Sequence, residues 1–382
     1  MKTIYLHGSP DYYGSGKVLL EILRIPGNAS QALVVFPHEG PLCAAIRSMG
    51  IPLYIINMGV LRRKYLSPWG IAGRIFYWIR SVIQIRKIIR QEQVDRIYVN
   101  SLNIVIGPWL KKQKDLSLIW HLHEIIEQPT FLYLFLHRLL QKADTIIAVS
   151  KATKAHWEKR PLPTPIQLLY NGFSFALTPS NATAPITTHQ ALPIANSIVL
   201  GMIGRIQHWK GQSYLLSIIQ ELILRPDFKK IGSFKVLMAG DAYPGSEHLA
   251  QRLQEEIHEK KLTDYVEYLG YQEDIPGLLQ QLDLLIVPSL KPDPLPTVVL
   301  EAMFAQKAVI ATHQGGCLEM IEENVTGFFI PLEDAKTSSQ ILLDHMLQKN
   351  RLQEAGRQGQ KRAQALFSLE AFQRGWLDII NR

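Results

Sequence analysis

Arg205, Lys210, Asp293 and Glu301 are the residues whose types and spacing most clearly suit chemistry. Arg205 and Lys210 belong to Gly204-Arg-Ile-Gln-His-Trp-Lys-Gly211, between an apolar strand-like run and the helix-period run Tyr214–Leu224. That position puts two cations beyond the carboxyl end of a parallel strand, where a diphosphate would lie. Arginine offers a planar fork of donors and lysine a point charge, and both suit phosphate oxygens. Taken alone, the pair also reads as two solvated cations on a loop. Asp293 and Glu301 are separated by seven residues in Asp293-Pro-Leu-Pro-Thr-Val-Val-Leu-Glu301. Glu301 falls on a helix opened by Thr297 and Val298, and Asp293 on the loop before it. One acid can then bond ribose hydroxyls while the other faces a sugar ring. Ordinary surface and helix contacts are the plain alternative.

A second group lies near the N-terminus. Gly14-Ser15-Gly16 follows the strand-like run Lys2–Leu6, and a glycine loop there lets backbone amides approach a phosphate or an acceptor. With Lys17 it hints at a Walker loop. However, Asp11 stands where the first glycine is required, and Val18 where a magnesium-binding Ser or Thr belongs. A G-x-G-x-x-G fingerprint is missing too, so both nucleotide-loop readings fail. Further on, His121-Leu-His123-Glu124 follows a strand ending near Trp120. Two histidines on an extended segment suit a metal, a packed strand end or a lining position at a site. With no other His or Cys clustered beside them, metal is the weaker reading. The two cysteines, Cys43 and Cys317, show no Cys-x-x-Cys or Cys/His spacing, which argues against a disulfide framework or structural zinc.

The elements that must position these residues alternate from end to end. In the first half the expected strands are Lys2–Leu6, Gln31–Phe36, Leu53–Ile56, Arg96–Val99, Ser117–His121 and Thr145–Val149. In the second they are Ile198–Ile203, Phe234–Ala239, Val266–Leu269, Leu284–Val287, Val309–Ala311 and Gly327–Ile330. Apolar runs separated by helix-period segments are the pattern of α/β domains with parallel sheets. Between the halves, Phe173–Asn196 is rich in Pro, Thr, Ser, Ala and Asn and reads as a linker. At 382 residues, 47% hydrophobic and 19% charged, the chain is long enough for two such domains and is not compositionally disordered.

Charge is unevenly placed. Of the net +8, residues 1–180 carry +12 and residues 181–382 carry −4, with no acid from Gly40 to Gln91. Such asymmetry points to an anionic partner for the first half. On a helix from Trp69, the residues Ile71, Ile75, Trp78, Ile79, Val82, Ile83 and Ile89 are expected to form one apolar face packed on the sheet. A basic amphipathic helix lying on anionic lipid is the other reading. The loop Arg62-Arg63-Lys64-Tyr65-Leu66 is the better membrane candidate, at about 1 kcal/mol per cation near an anionic surface. Nucleic acid is disfavoured, because the basic stretch is interleaved with Ile rather than with exposed aromatics. The start, Met-Lys-Thr-Ile-Tyr-Leu-His-Gly, lacks a signal-peptide core, and no run of 18 apolar residues predicts a membrane span. A cytoplasmic location, peripheral on the inner face of the plasma membrane, is the matching expectation.

The second half resembles retaining GT-B glycosyltransferases of family 4, which carry an E-x7-E motif and an upstream Arg/Lys pair. Further matching pieces occur in order: Gly240-Asp241, Tyr268-Leu-Gly270, Val287-Pro-Ser289, Gly315-Gly316 and Thr326-Gly327. The likeness extends over the whole chain and is weaker in the first half, where Val149-Ser150-Lys151 and Asn171-Gly172-Phe173 match. It implies an α/β GT-B fold, with two Rossmann-like domains whose parallel sheets face each other across a cleft. Residues 1–180 would bind the acceptor, residues 181–366 the nucleotide-sugar, and a helix over 367–382 would return to the first domain.

The resemblance also implies roles. Arg205 and Lys210 would hold the donor diphosphate and stabilise it as it leaves, without a metal or other cofactor. Glu301 would bind the ribose, Asp293 a hydroxyl of the transferred hexose, and His123 would approach that sugar. Gly14, Ser15, Gly16, Gly204, Thr297 and Val298 would line the donor. Here the first Glu of the motif is Asp293, and Pro294 and Pro296 have no N–H to offer the sugar. The implied reaction moves a hexosyl residue from a UDP- or GDP-sugar to a glycan or lipid-linked acceptor, in surface polysaccharide or glycolipid synthesis. A sugar-nucleotide epimerase of the same architecture is the alternative.

Overall fold

The strands of this protein are predominantly apolar, as parallel strands covered by helices on both faces are, with polar exceptions such as Arg96, His121, Lys235 and Glu267. The structure is a computed structural model that describes residues 1–12, 14–62, 65, 67–111, 116–172, 197–243 and 245–381. Arg63, Lys64, Leu66 and the expected linker 173–196 lie outside the described residues. The chain divides into two units, Met1–Phe173 with Leu369–Arg382, and Ser174–Ser368.

In the first unit the elements alternate as β1 (Thr3–Leu6), α1 (Gly14–Arg24), β2 (Ala32–Phe36), α2 (Pro41–Ser48), β3 (Leu53–Ile55), α3 (Pro68–Gln91) and β4 (Arg96–Val99). They continue as α4 (Gly107–Leu110), β5 (Ser117–Leu122), α5 (Thr130–Leu140), β6 (Thr145–Ala148), α6 (Lys151–Trp157) and β7 (Ile166–Leu168). Among the described residues the sheet has seven strands in the order β3-β2-β1-β4-β5-β6-β7, and every pairing is parallel. The strand β7 was not expected. Three residues at a sheet edge are too few to show a pattern.

The second unit runs β8 (Ile198–Ile203), α7 (Gln212–Ile223), β9 (Phe234–Ala239), α8 (His248–Glu259), β10 (Val266–Gly270), α9 (Ile275–Gln281) and β11 (Leu284–Val287). After these come α10 (Thr297–Phe304), β12 (Ala308–Thr312), α11 (Cys317–Met320), β13 (Gly327–Ile330), α12 (Ala335–Met346) and α13 (Lys349–Leu366). Its sheet is β10-β9-β8-β11-β12-β13, again parallel throughout. Both sheets therefore reverse strand order beside their first strand, and the crevice at such a reversal is where doubly wound sheets take ligands.

Side chains alternate across the first sheet with period two. Ile4, Leu6, Leu33, Val35, Ile97 and Val99 face α3, α4 and α5. Tyr5, Val34, Phe36, Tyr98 and Ile119 face α1 and α2. The last helix, α14 (Leu369–Ile380), joins that second layer. Phe372 and Trp376 are buried there, the Trp376 ring lies 4.9 Å from that of Tyr98, and Arg96 donates to the Ile380 carbonyl at 2.9 Å.

Two expectations are corrected. Gly14-Ser15-Gly16 is not a free loop but the first turn of α1, where a Cβ on Gly16 would sit 2.4 Å from the Asp11 carbonyl oxygen. The face expected to pack α3 on the sheet is also wrong in part. Trp78, Val82, Ile85 and Ile89 pack against the core, whereas Ile75, Ile79 and Ile83 are exposed. The helix is apolar on two sides, and periodicity cannot say which of two apolar sides turns inward.

Candidate functional site

Arg205 leaves β8 at the strand-order reversal of the second unit. Its loop is held from both sides: the Ile206 N–H donates to the Asp241 carbonyl at 3.0 Å, and the Gln212 amide donates to the Arg205 carbonyl at 3.1 Å. The guanidinium stacks on the Tyr243 ring, 3.5 Å from its centroid, so the donor fork is presented in a set plane. His208–Lys210 then form a short 3-10 turn rather than an open loop, closed by Gly211. Gly211 has φ 85°, and a Cβ there would lie 1.9 Å from the Pro288 carbonyl oxygen, so only glycine lets this turn approach the loop after β11. A hydrogen bond from the Leu290 N–H to the Trp209 carbonyl, 2.7 Å, ties the two loops together.

That approach brings Lys210 to Asp293. The ammonium lies 2.5 Å from the Asp293 carboxylate, with side chains 21% and 11% exposed, and also 4.4 Å from the Trp209 ring centroid. Asp293 is fixed in turn by the Gly316 N–H, which donates to its carbonyl at 2.7 Å. Gly315, at φ 61°, passes so close that a Cβ would sit 2.6 Å from the same oxygen. The Ser289 carbonyl accepts from Thr312 at 2.6 Å and from Gln314 at 2.5 Å, while the Ser289 hydroxyl is buried without a partner among the described residues. Cys317 packs nearby. Burial, aided by the Asp293 charge, pushes its thiol up to about 12, so it is neutral and not a nucleophile.

Glu301 sits half-buried on α10, and Thr297 and Val298 form the first turn of that helix. The residue before the helix is Pro296, which gives no side-chain cap. First-turn amides without such a cap, at the positive end of a helix dipole, favour an anion. The edge of this one unit thus combines Gly204, Arg205, Lys210, Asp293, Thr297, Val298 and Glu301.

The corresponding crevice of the first unit holds a different set. Asn100 follows β4 and is fully buried. Its amide donates to the Ser15 carbonyl at 2.9 Å and faces Nδ1 of His7 at 3.0 Å. A backbone carbonyl only accepts, so Nδ2 points to Ser15 and Oδ1 must face His123 Nε2, 2.9 Å away. His123 therefore carries its proton on Nε2 and keeps Nδ1 as an acceptor. Burial holds His7 down to about 4 and His121 to about 3; burial, then the neighbouring imidazoles, keep His123 well below the usual range. All three rings are neutral at pH 7. Tyr98 bonds Nδ1 of His121 at 2.5 Å, and the His121 and His123 rings lie 4.2 Å apart. Glu124 bonds the Ser101 hydroxyl and accepts from the N–H groups of Leu102 and His123 at 3.2 Å each.

Gly14, Ser15 and Gly16 lie at this first crevice, on α1, and Ser15 contributes the carbonyl just described. Arg62 is exposed on the same unit.

Residues 187–362 match the family model described as glycosyl transferases group 1, and residues 33–176 match that described as glycosyltransferase family 4. Together the two models span most of the chain. The chain belongs to glycosyltransferase family 4. It is 25% identical, over 79% of its length and 78% of the relative's, to a lipopolysaccharide 1,2-N-acetylglucosaminetransferase of Salmonella typhimurium. A lipopolysaccharide core biosynthesis mannosyltransferase of Rhizobium meliloti is 28% identical over 61% of this chain and 64% of that one. Among solved structures, HepE of Anabaena in complex with UDP and glucose matches with a TM-score of 0.81 and 22% identity, over 100% of this chain and 99% of that one. The fold is GT-B, and the protein is a glycosyltransferase.

Asn100 and His7 stand at the first crevice of this family 4 enzyme without a sequence signal that marks them, whereas at the second Ser289 belongs to the matching piece Val287-Pro-Ser289. Asn100 ends a strand-like run and His7 begins a loop, and only their shared contact shows a role. Tyr243 had a weak signal, two residues past Gly240-Asp241.

Proposed function

We propose that the protein transfers a hexosyl residue, with retention of configuration, from a nucleoside-diphosphate sugar to a glycan or lipid-linked acceptor. The observation that carries this reading is the convergence of Arg205, Lys210 and the uncapped start of α10 at one strand-order reversal. A diphosphate is the ligand class that uses all three. Glu301 would bond the ribose, and Asp293, held by Lys210, would accept from a sugar hydroxyl while the lysine turns its remaining donors to phosphate. His123 would meet the transferred sugar with its Nδ1 acceptor.

In the transfer, the bond from the sugar anomeric carbon to the β-phosphate oxygen breaks, and its electron pair leaves with the nucleoside diphosphate. The acceptor hydroxyl oxygen bonds the same carbon on the same face and passes its proton to the departing phosphate. Arg205 and Lys210 offset the charge that develops, so no divalent metal is required. Relatives named for lipopolysaccharide synthesis support a surface glycan or glycolipid as product, and the UDP complex of HepE supports a UDP-sugar donor ahead of a GDP-sugar. The expected place of action is the cytoplasmic face of the plasma membrane. These relatives are transferases, and the epimerase alternative is not favoured.

The test is thermal stabilisation of the purified protein by UDP-, GDP-, dTDP- and ADP-sugars, beside Arg205→Ala and Glu301→Ala. The expected result is a shift with one nucleotide class that both variants lose. A folded wild type that no donor stabilises would sink the donor assignment. Turnover that needs no acceptor would replace transfer by epimerisation, and turnover abolished by EDTA would remove the metal-free mechanism.

A further inference from the structure

We propose that the α3–α4–α5 layer of the first unit is a docking face for an anionic lipid bilayer. The purpose of such docking rests on the lipid-linked part of the reading above; the surface that carries it does not. A helix packed on a sheet normally turns polar residues outward. On α3, the side opposite Trp78, Val82, Ile85 and Ile89 instead presents Trp69, Phe76, Ile79 and Ile83, with Ile75 beside them. Trp69 is 89% exposed, and Phe76, Ile79 and Ile83 are each 59% exposed or more. On α5 the exposed stripe is Phe131, Leu134 and Phe135, and on α4 it is Trp109. These three helices cover one face of one sheet, and the Arg86 guanidinium, on α3, bonds the Trp109 carbonyl on α4. Nine of the 21 large apolar residues exposed among the described residues lie in this layer. An outward apolar surface of that extent marks an interaction site.

Charge selects the occupant. Each stripe is continued by cations: Arg80, Lys87 and Arg90 on α3, and Arg138 and Lys142 at the end of α5, all exposed. Arg62 is exposed ahead of α3, and no acid occurs between Gly40 and Gln91. Nearby acids are largely engaged, Glu92 with Lys2 at 2.7 Å and Asp144 with Lys111, which leaves Glu127 exposed ahead of α5. Aromatic and aliphatic side chains framed by Lys and Arg suit the boundary between anionic headgroups and acyl chains. No helix among the described residues is long and apolar enough to cross a membrane, so the contact is peripheral. Helices of a parallel sheet run against the strands. The N-terminal, apolar parts of α3 and α5 therefore lie toward the strand ends that carry Asn100 and His123, where an acceptor held by a membrane lipid would arrive.

The test is co-sedimentation of the whole protein with vesicles of phosphatidylglycerol and phosphatidylethanolamine, against vesicles of phosphatidylcholine, with no nucleotide-sugar present. At least tenfold tighter binding to the anionic vesicles is expected. The triple variant Phe76→Ser, Ile79→Ser, Ile83→Ser should weaken it at least tenfold while keeping its melting temperature. The charge variant Lys87→Glu, Arg90→Glu should weaken it severalfold and flatten its salt dependence. Equal binding to both vesicle types, binding unchanged in both variants, or a stable dimer that buries these residues would each overturn the proposal. Donor stabilisation is read separately, so a failed donor site and a failed docking face give different results.

Discussion

The two crevices of this glycosyltransferase have the same topology and opposite chemistry. In the first unit, Asn100, His7, His121 and His123 are buried or half-buried and uncharged at pH 7. In the second, Arg205, Lys210, Asp293 and Glu301 bring formal charges to the strand ends, and the cations are held against rings and a carboxylate. Burial explains the first set, because desolvation penalises the charged imidazole. Pairing and stacking explain the second, since a partly buried charge is tolerated when a partner accompanies it. A neutral crevice suits hydroxyl groups and a cationic one suits diphosphate. On the proposed function, the difference would divide recognition of sugar from recognition of phosphate between the two sheets.

The largest effect on this contrast should come from behind the neutral crevice. Trp376→Ala removes the ring packed on Tyr98, which itself bonds His121. A loss of about 3–5 kcal/mol is expected in urea unfolding. A loss under 1 kcal/mol would show that α14 does not support this crevice. On the charged side, Arg205→Ala or Lys210→Ala should lower kcat by roughly 100- to 1000-fold, as for loss of a donor aimed at developing charge. An unchanged kcat in steady-state assays would take the leaving-group role away from that residue.

Acid should separate the two crevices further. The folded pKa of His7 is about 4, below the ordinary 6.5, so its stabilising contribution is complete above pH 6.5 and is lost as pH falls toward 4. For His7 alone the loss is about 3 kcal/mol at pH 4, with His121 acting in the same direction. Glu124 opposes them, because burial raises its pKa and its contribution is largest at low pH. Unfolding midpoints from pH 7 to 4 should therefore fall, and fall less steeply in His7→Gln. Identical slopes would mean that His7 titrates normally.

Smaller effects address positioning. Asn100→Leu leaves His123 without its acceptor and should lower kcat about tenfold, near 1.4 kcal/mol, with KM little changed. A change in KM alone would make Asn100 a binding residue. Tyr243→Ala removes one ring from beneath Arg205, worth about 1 kcal/mol at an exposed site, or roughly fivefold in donor affinity. Calorimetric titration with the stabilising nucleotide checks it, and an unchanged Kd would show that the guanidinium orients itself without the ring.

What the sequence by itself determined is the order and kind of the elements and the two cations. Strands covered on both faces are predominantly apolar, so Ile198–Ile203, Phe234–Ala239 (despite Lys235) and Leu284–Val287 were legible to the residue. Arg205, Lys210 and Glu301 were legible through their place beside such strands and through family resemblance. Tertiary structure alone decided which residues meet. Lys210 and Asp293 are 83 positions apart, and Asn100 and His7 are 93 apart. Their contacts exist because parallel pairing sets β11 beside β8 and β4 beside β1. It also decided which apolar side of α3 faces water, and that Phe372 and Trp376 are the side chains by which α14 enters the core of the first unit. Local pattern records how a residue relates to its neighbours in the chain, whereas these outcomes depend on which distant surface each element covers.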